Sequence, residues 1–295
     1  MKTFQVITDS TSDVEKSFRE EYELDYLKMV FTIEGKTYDA DLDWSEISSK
    51  DYFDSMRRGN RSVTGAVKIA DVEEKFSKYL NEGLDILYIA CSSKLSASVN
   101  YAKSFADELL EKFPGRKIIC CDSLRSNYAE GYMAIKAAQM AKEGKTIDEV
   151  VDYLEDNKLK FQTYATVATL DWLKKAGRIK ASTAFFGNLI GVKPIIVGDK
   201  NGNNYSFKKV KGRKPSLDEL VNTIIERVED KPENIVFVEH ADCEKDASYI
   251  KDALKDKIKA QIHVCSLGPI ISATTGPDTI TVNFYGEEVT LAGEE

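Results

Sequence analysis

The feature that most limits what this chain can fold into is the run Leu84-Asp-Ile-Leu-Tyr-Ile-Ala-Cys91, followed by the turn Ser92-Ser-Lys-Leu-Ser-Ala-Ser98. A near-continuous apolar run of this length reads as a strand buried on both faces, as in a parallel sheet. In the segment 96–113 after it, Val99, Ala102, Phe105, Ala106, Leu109 and Phe113 form an apolar stripe at helical spacing. Where a parallel strand feeds a helix, the turn offers unpaired backbone N–H groups and a positive dipole end. Hydroxyls at that turn add donors suited to an anion such as a carboxylate or phosphate.

The same alternation fills the first half. Phe4–Thr8 reads as a strand, and Ser12-Asp-Val-Glu15 as a capping box that opens a helix. An extended segment spans 27–33, and helices follow near 50–58 and over 71–81, stopped by Gly59 and Gly83. A strand at 116–121 precedes a helix to about residue 142, and Thr146-Ile-Asp-Glu149 caps another. From about residue 160 the pattern changes. An extended segment 161–169 leads to a short helix 170–176 stopped by Gly177, and a second short helix covers 183–190. Segments 192–197 and 205–210 flank Gly198-Asp-Lys-Asn-Gly-Asn203, a hairpin signature. A helix capped by Ser216-Leu-Asp-Glu219, a strand 234–239, a helix 244–258 and strands 260–265 and 279–285 complete the chain. The fold class expected is α/β. Residues 1–160 form a domain with a mostly parallel sheet flanked by helices, and 161–295 form one with a mixed sheet that includes a hairpin.

Composition narrows the function. A net charge of −8 over 295 residues argues against nucleic acid as the main partner. No apolar stretch reaches membrane-spanning length, and the N-terminus has no signal-peptide pattern, so a cytoplasmic location is expected. Five cysteines without CxxC spacing read as reduced and buried. Dinucleotide-binding, phosphate-loop and nucleophile-elbow motifs are missing. Of the two histidines, His240 ends a strand and can reach a crevice, whereas His263 reads as structural. Asp39-Ala-Asp-Leu-Asp43 fails as a calcium loop, with Trp44 where glycine is needed and Lys50 where the terminal acid belongs. The basic run Lys208–Lys214 reads as a solvated face, or as a docking patch for an acidic partner. Three strand ends carry acids or hydroxyls: Thr8–Ser12, Ser92-Ser93 and Asp122-Ser123. Such ends bind ligands in open parallel sheets, although Ser12, Ser96 and Asp122 read equally as helix caps.

Read together, several segments resemble the DegV family of bacterial fatty-acid-binding proteins. Ile7-Thr-Asp-Ser-Thr-Ser-Asp13 is similar to its opening motif, Ser92–Ser98 to its SSxLSGT segment, and Cys121-Asp-Ser123 to its strand-end DS. Leu170-Asp-Trp-Leu-Lys-Lys-Ala-Gly-Arg-Ile179, with Gly191-Val-Lys-Pro-Ile-Ile196, is similar to its LxxLxxxGRI…KPI signature, and Gly276-Pro277 falls at its HxGPG loop. The resemblance covers nearly the whole chain. It implies two α/β domains with one long-chain fatty acid in an interdomain tunnel. Hydroxyls hold the carboxylate, and a separate ATP-dependent fatty-acid kinase receives the bound acid. By motif position it implicates Thr64, Ser92, Ser93 and Arg178 as lipid-binding, with Thr274 where the family has its histidine. Arg178 reads equally as half of a structural ion pair. The helix 183–190, with Ala184, Phe185, Phe186, Leu189 and Ile190, is expected to cover the acyl chain, with ordinary core packing as the competing reading. Two segments depart from the family: Thr64-Gly-Ala-Val67 replaces TSQP, and Thr274 and Asp278 replace the histidine and last glycine of HxGPG. The expectation is a lipid carrier without catalytic residues, metal or cofactor. The alternative is an enzyme acting on a small carboxylated or phosphorylated metabolite at the Ser-rich turn.

Overall fold

The computed structural model describes residues 2–180 and 191–293. The expected helix 183–190, with Ala184, Phe185, Phe186, Leu189 and Ile190, lies outside the described residues.

The chain opens with β1 (Phe4–Asp9), α1 (Lys16–Tyr22) and β2 (Asp25–Leu27), which runs parallel to β1. It then leaves this sheet. Strands β3 (Val30–Ile33) and β4 (Lys36–Asp39), helix α2 (Ser49–Arg57) and strand β5 (Val63–Gly65) follow. The three strands form a small antiparallel sheet ordered β4-β3-β5. Helix α3 (Ile69–Asn81) leads back to β6 (Asp85–Ala90), and α4 (Ser98–Lys112), β7 (Ile118–Asp122), α5 (Asn127–Lys142) and α6 (Ile147–Asn157) follow. Sheet β2-β1-β6-β7 is parallel throughout. Its central strands are buried because α3 and α4 cover one face and α5 the other.

The second half contains β8 (Phe161–Thr166), α7 (Asp171–Ala176), β9 (Val192–Gly198), β10 (Asn204–Lys211) and α8 (Arg213–Arg227). It continues through β11 (Ile235–His240), α9 (Glu244–Leu254), β12 (Gln261–Ser266), α10 (Pro269–Thr275) and β13 (Ile280–Tyr285). The sheet order is β10-β9-β8-β13-β11-β12, antiparallel except for the parallel pair β11–β12. The α/β class, with one parallel and one mixed sheet, is therefore what the structure shows. A shared apolar cluster packs the halves together, with Val14, Tyr128 and Tyr132 from the first against Phe161, Phe237 and Cys265 from the second. Tyr128 and Phe237 stack with ring centroids 4.0 Å apart.

Several local expectations change. Ser12 does not cap α1: Asp13 turns into the left-handed region (φ 54°), and the helix starts behind Glu15. The turn lies so close to α5 that a Cβ on Gly131 would stand 2.5 Å from the Ser12 carbonyl oxygen. The extended segment 27–33 divides between two sheets. Ser216 sits inside α8, which starts at Arg213 behind Gly212 (φ 94°), and its hydroxyl donates to the Arg213 carbonyl at 2.7 Å. Strands β4 and β5 and helix α10 are too short for a periodicity to reveal. By contrast, the Thr146–Glu149 capping box forms in full, and Gly177 (φ 69°) stops α7. Within the basic run, Lys208, Arg213 and Lys214 pair with Glu219, Asp246 and Asp218 of the same chain. Among the described residues, no helix is long and apolar enough to cross a membrane.

Candidate functional site

A cleft opens where the strand-end turns of the parallel sheet meet β8, β9, β10, β13 and α10. Parallel strands gather their turns at one end of the sheet, so residues 11, 91, 95, 96, 126 and 127 converge there. Met29, Leu95, Leu173, Ile196, Ile270 and Ile271 supply apolar wall. Cys91 belongs to that wall; burial pushes its thiol well above the usual range, so it stays protonated and is a poor nucleophile.

The polar lining divides by exposure into a rim and a floor. Thr64, Ser96, Arg178, Asn204 and Thr274 are partly or fully exposed and form the rim. Short bonds connect it. The Val67 N–H donates to the Ser98 hydroxyl at 3.3 Å, and Ser98 and Ser96 share a hydrogen bond of 2.8 Å. Arg178 Nε donates to the Leu95 carbonyl at 3.1 Å and its Nη1 to the Ala176 carbonyl at 2.7 Å. Asn204 Nδ2 reaches the Arg178 carbonyl at 3.1 Å. Arg178 is the one charged side chain among the described lining residues, and no described carboxylate pairs with it. The hydroxyl of Thr64 has no described partner, whereas that of Thr274 donates back to the Ile271 carbonyl at 2.9 Å.

The Ser92-Ser93 turn stands beside this rim without lining the cleft. The Ser92 hydroxyl is buried and donates to the Gly202 carbonyl at 2.8 Å. That contact fastens the hairpin turn to the parallel sheet. It also needs glycine at 202, because a Cβ there would collide with the Ser92 hydroxyl. Ser93 is half-buried; its N–H donates to Asp122 Oδ1 at 3.1 Å, and its hydroxyl has no described partner.

The floor is buried and acidic. Thr11 lines it, and its hydroxyl lies 2.5 Å from Asp9 Oδ1 and 2.6 Å from Glu130 Oε2. One hydroxyl carries one proton, so one of these carboxyls must be the donor. Burial raises Glu130 well above the usual carboxylate range, and the charge of Asp9 adds to it. Glu130 is therefore the proton-bearing member: it donates to Thr11, and Thr11 donates to Asp9. Thr8 also donates to Glu130 at 2.8 Å, and Tyr88 to Asp9 at 2.8 Å. A second acidic pair lies nearby. Glu239 accepts from Thr281 at 2.7 Å and Asn283 at 2.6 Å. Burial pushes it up to about 7, and burial together with neighbouring Glu239 raises the carboxyl of Asp13 beside it. Ser126 and Asn127, at the start of α5, complete the floor with Thr163, to which Asn127 Nδ2 donates at 3.0 Å.

Sequence reasoning located Thr64, Arg178 and Thr274, which the cleft brings together, and flagged the strand end Thr8–Ser12 that carries Thr11, but missed Ser126, Asn127 and Glu130 on the floor. A signal existed at Ser126-Asn127: this hydroxyl-amide pair opens the helix, and asparagine tolerates the left-handed φ of 49° found there. The pairing of Asp9 with Glu130 has none, because 121 residues separate them. His240 lies outside the cleft; burial lowers its pKa, and its Nδ1 has no described partner.

Comparison with known proteins agrees with this architecture. The family model described as "Uncharacterised protein, DegV family" matches residues 3–287. A DegV domain-containing protein of Clostridium perfringens is 35% identical over 288 residues, covering 97% of this chain and 99% of the relative. Among solved structures, a DegV family protein of Thermus thermophilus, described as binding fatty acid, has a TM-score of 0.86 at 25% identity, covering 97% of this chain and 100% of that one. DegV of Bacillus subtilis, described as a fatty acid binding protein, has a TM-score of 0.82 at 23% identity, covering 97% and 100%. With its strand-end cleft, its GRI arginine on the rim and a family match along nearly its whole length, the chain belongs to the DegV family.

Proposed function

We propose that this protein binds one long-chain fatty acid in the cleft, with the carboxylate at the rim and the acyl chain against the apolar walls. The observation that carries the reading is the pairing of a mostly apolar cleft with Arg178, the one cation among its described lining residues, which no described carboxylate neutralises. Burying each methylene contributes about 0.8 kcal/mol, so the tail supplies most of the affinity. An ionised head group needs donors or a counter-charge. Arg178 supplies the charge, Thr64 and Ser93 supply spare hydroxyls, and Thr274 contributes once its hydroxyl rotates away from Ile271. Ser92 holds the hairpin in place. The acidic floor repels a carboxylate and turns the head outward.

The protein acts as a cytoplasmic carrier and not as a catalyst, and a head group at the rim is open to a separate ATP-dependent fatty-acid kinase. Residues 1–160 and 161–295 form the two domains that enclose the ligand. Native mass spectrometry of the purified protein, before and after denaturation, tests the reading. A co-purified acyl acid, or palmitate or oleate binding by calorimetry, is the expected result. Neither a bound acid nor any such binding would overturn it. For the kinase step, acyl phosphate forming from loaded protein, a bacterial fatty-acid kinase and ATP is expected. Its absence, with wild-type lipid binding, would remove the hand-over and leave the carrier.

A further inference from the structure

Away from the cleft, three side chains with different ligand chemistry meet where the two halves of the molecule touch. Glu15 stands at the start of α1, and His263 and Cys265 project from one face of the edge strand β12, two residues apart. One ligand atom from each of the three lies within 4.8 Å of the other two. In a tetrahedral zinc site, neighbouring ligand atoms are roughly 3.3–3.7 Å apart, so closure needs a movement of about 1 Å. The Glu15 carboxylate and His263 Nε2 already hydrogen-bond each other. Both side chains are partly exposed while Cys265 is buried, which gives an ion a protein-facing sulfur and an entry from solvent.

The surroundings hold these ligands in place. The His263 ring packs edge-on against Phe18 and Phe237, with centroids 5.2 Å and 5.8 Å away. The N–H of Glu15 donates to the Tyr128 hydroxyl at 3.0 Å, which fixes the backbone that carries the carboxylate. Cys265 is in register with Glu239 on the neighbouring strand β11, which fixes its place on β12.

We propose that Glu15, His263 and Cys265 form a divalent transition-metal site of the zinc class, with a fourth position open to water, that ties the segment after β1 to strand β12. One oxygen, one imidazole nitrogen and one sulfur are a donor set suited to zinc, and the sulfur disfavours magnesium or calcium. The site does not depend on the lipid reading. It bridges the two halves of the molecule, since Glu15 precedes α1 in the first and His263 and Cys265 lie on β12 in the second.

The test uses the full chain after chelator treatment, titrated with Zn²⁺ or Co²⁺ alone. One equivalent bound per chain is expected, with a Co²⁺–thiolate charge-transfer band and a raised Tm. In Cys265→Ser the band is lost. In His263→Gln and Glu15→Gln, Zn²⁺ binding weakens by more than the 10–100-fold that loss of a supporting outer partner typically costs. These two side chains are partly exposed, so both variants melt near wild type without metal and keep the test open if Cys265→Ser does not fold. No retained ion would overturn the proposal. So would binding that survives in His263→Gln and Glu15→Gln, or a thiolate band that persists in Cys265→Ser.

Discussion

The rim and the floor of the cleft are both lined with hydroxyls, yet they have opposite chemistry. On the floor, the Thr11 hydroxyl is held between Asp9 and Glu130, and Thr281 donates to Glu239. These hydroxyls have no proton to offer, and the acids behind them make the region hostile to an anion. On the rim, the Thr64 hydroxyl has no described partner, nor has that of Ser93 beside the rim, and Arg178 has carbonyl partners and no described carboxylate. A hydroxyl serves as an anion donor only when its proton is uncommitted and no carboxylate lies beyond it. Counting hydroxyls therefore says little until their partners are known.

The contrast makes the floor a matter of stability and the rim a matter of binding. The largest effect is expected on the floor. Glu130→Ala leaves Thr8 and Thr11 without their buried partner and opens a cavity, which costs about 3–5 kcal/mol. At roughly 2–4 °C per kcal/mol, thermal melting should show a loss of about 10 °C. A variant that melts like wild type would show that the network contributes nothing to the fold.

On the rim, Arg178→Met and Thr64→Val should each weaken palmitate binding by about 10- to 150-fold, the worth of a hydrogen bond to a charged group. Their melting temperatures should stay near wild type, because both side chains are at least partly exposed. Calorimetry measures the first quantity and a thermal scan the second. Wild-type affinity in both variants would move the head group away from the rim.

The floor also sets a pH dependence. Burial raises Glu239 to about 7, and desolvation together with Glu239 raises Asp13, whereas in the unfolded chain both carboxyls titrate near about 4. A carboxyl raised on folding contributes stability that is complete below its unfolded value and is lost as pH rises through its folded value. Tm should therefore fall between about pH 4 and about pH 7, and Glu239→Gln should flatten that slope. An unchanged slope in the variant would assign the dependence to other groups. The smallest effect is expected at the turn between the two regions. Ser92→Ala removes the bond to the Gly202 carbonyl and should cost about 1 kcal/mol, with palmitate affinity unchanged. A drop in affinity matching Thr64→Val would return Ser92 to the head-group set.

Much of this was legible in the sequence, for identifiable reasons. Strand β6 and its helix α4 are long and periodic, and the expected helix 71–81 falls within α3, whose buried residues Val72, Phe76, Tyr79 and Leu80 lie at helical spacing on one face. Arg178 and Thr64 were found through motif position, since each departs from no local rule that periodicity can detect. The acidic floor was hidden because Asp9 and Glu130, like Asp13 and Glu239, meet only after two distant segments pack. The committed role of Ser92 was hidden for the same reason: its partner, Gly202, lies in a hairpin 110 residues away.

The most direct test of the rim assignment is carbon NMR of palmitate labelled at the carboxyl carbon and bound to the full chain. The account predicts a carboxyl that stays ionised to lower pH than in free palmitate, with a signal that shifts in Arg178→Met and is unmoved in Glu130→Gln. A carboxyl protonated at neutral pH, responding to Glu130→Gln and indifferent to Arg178→Met, would place the head group on the floor and contradict it.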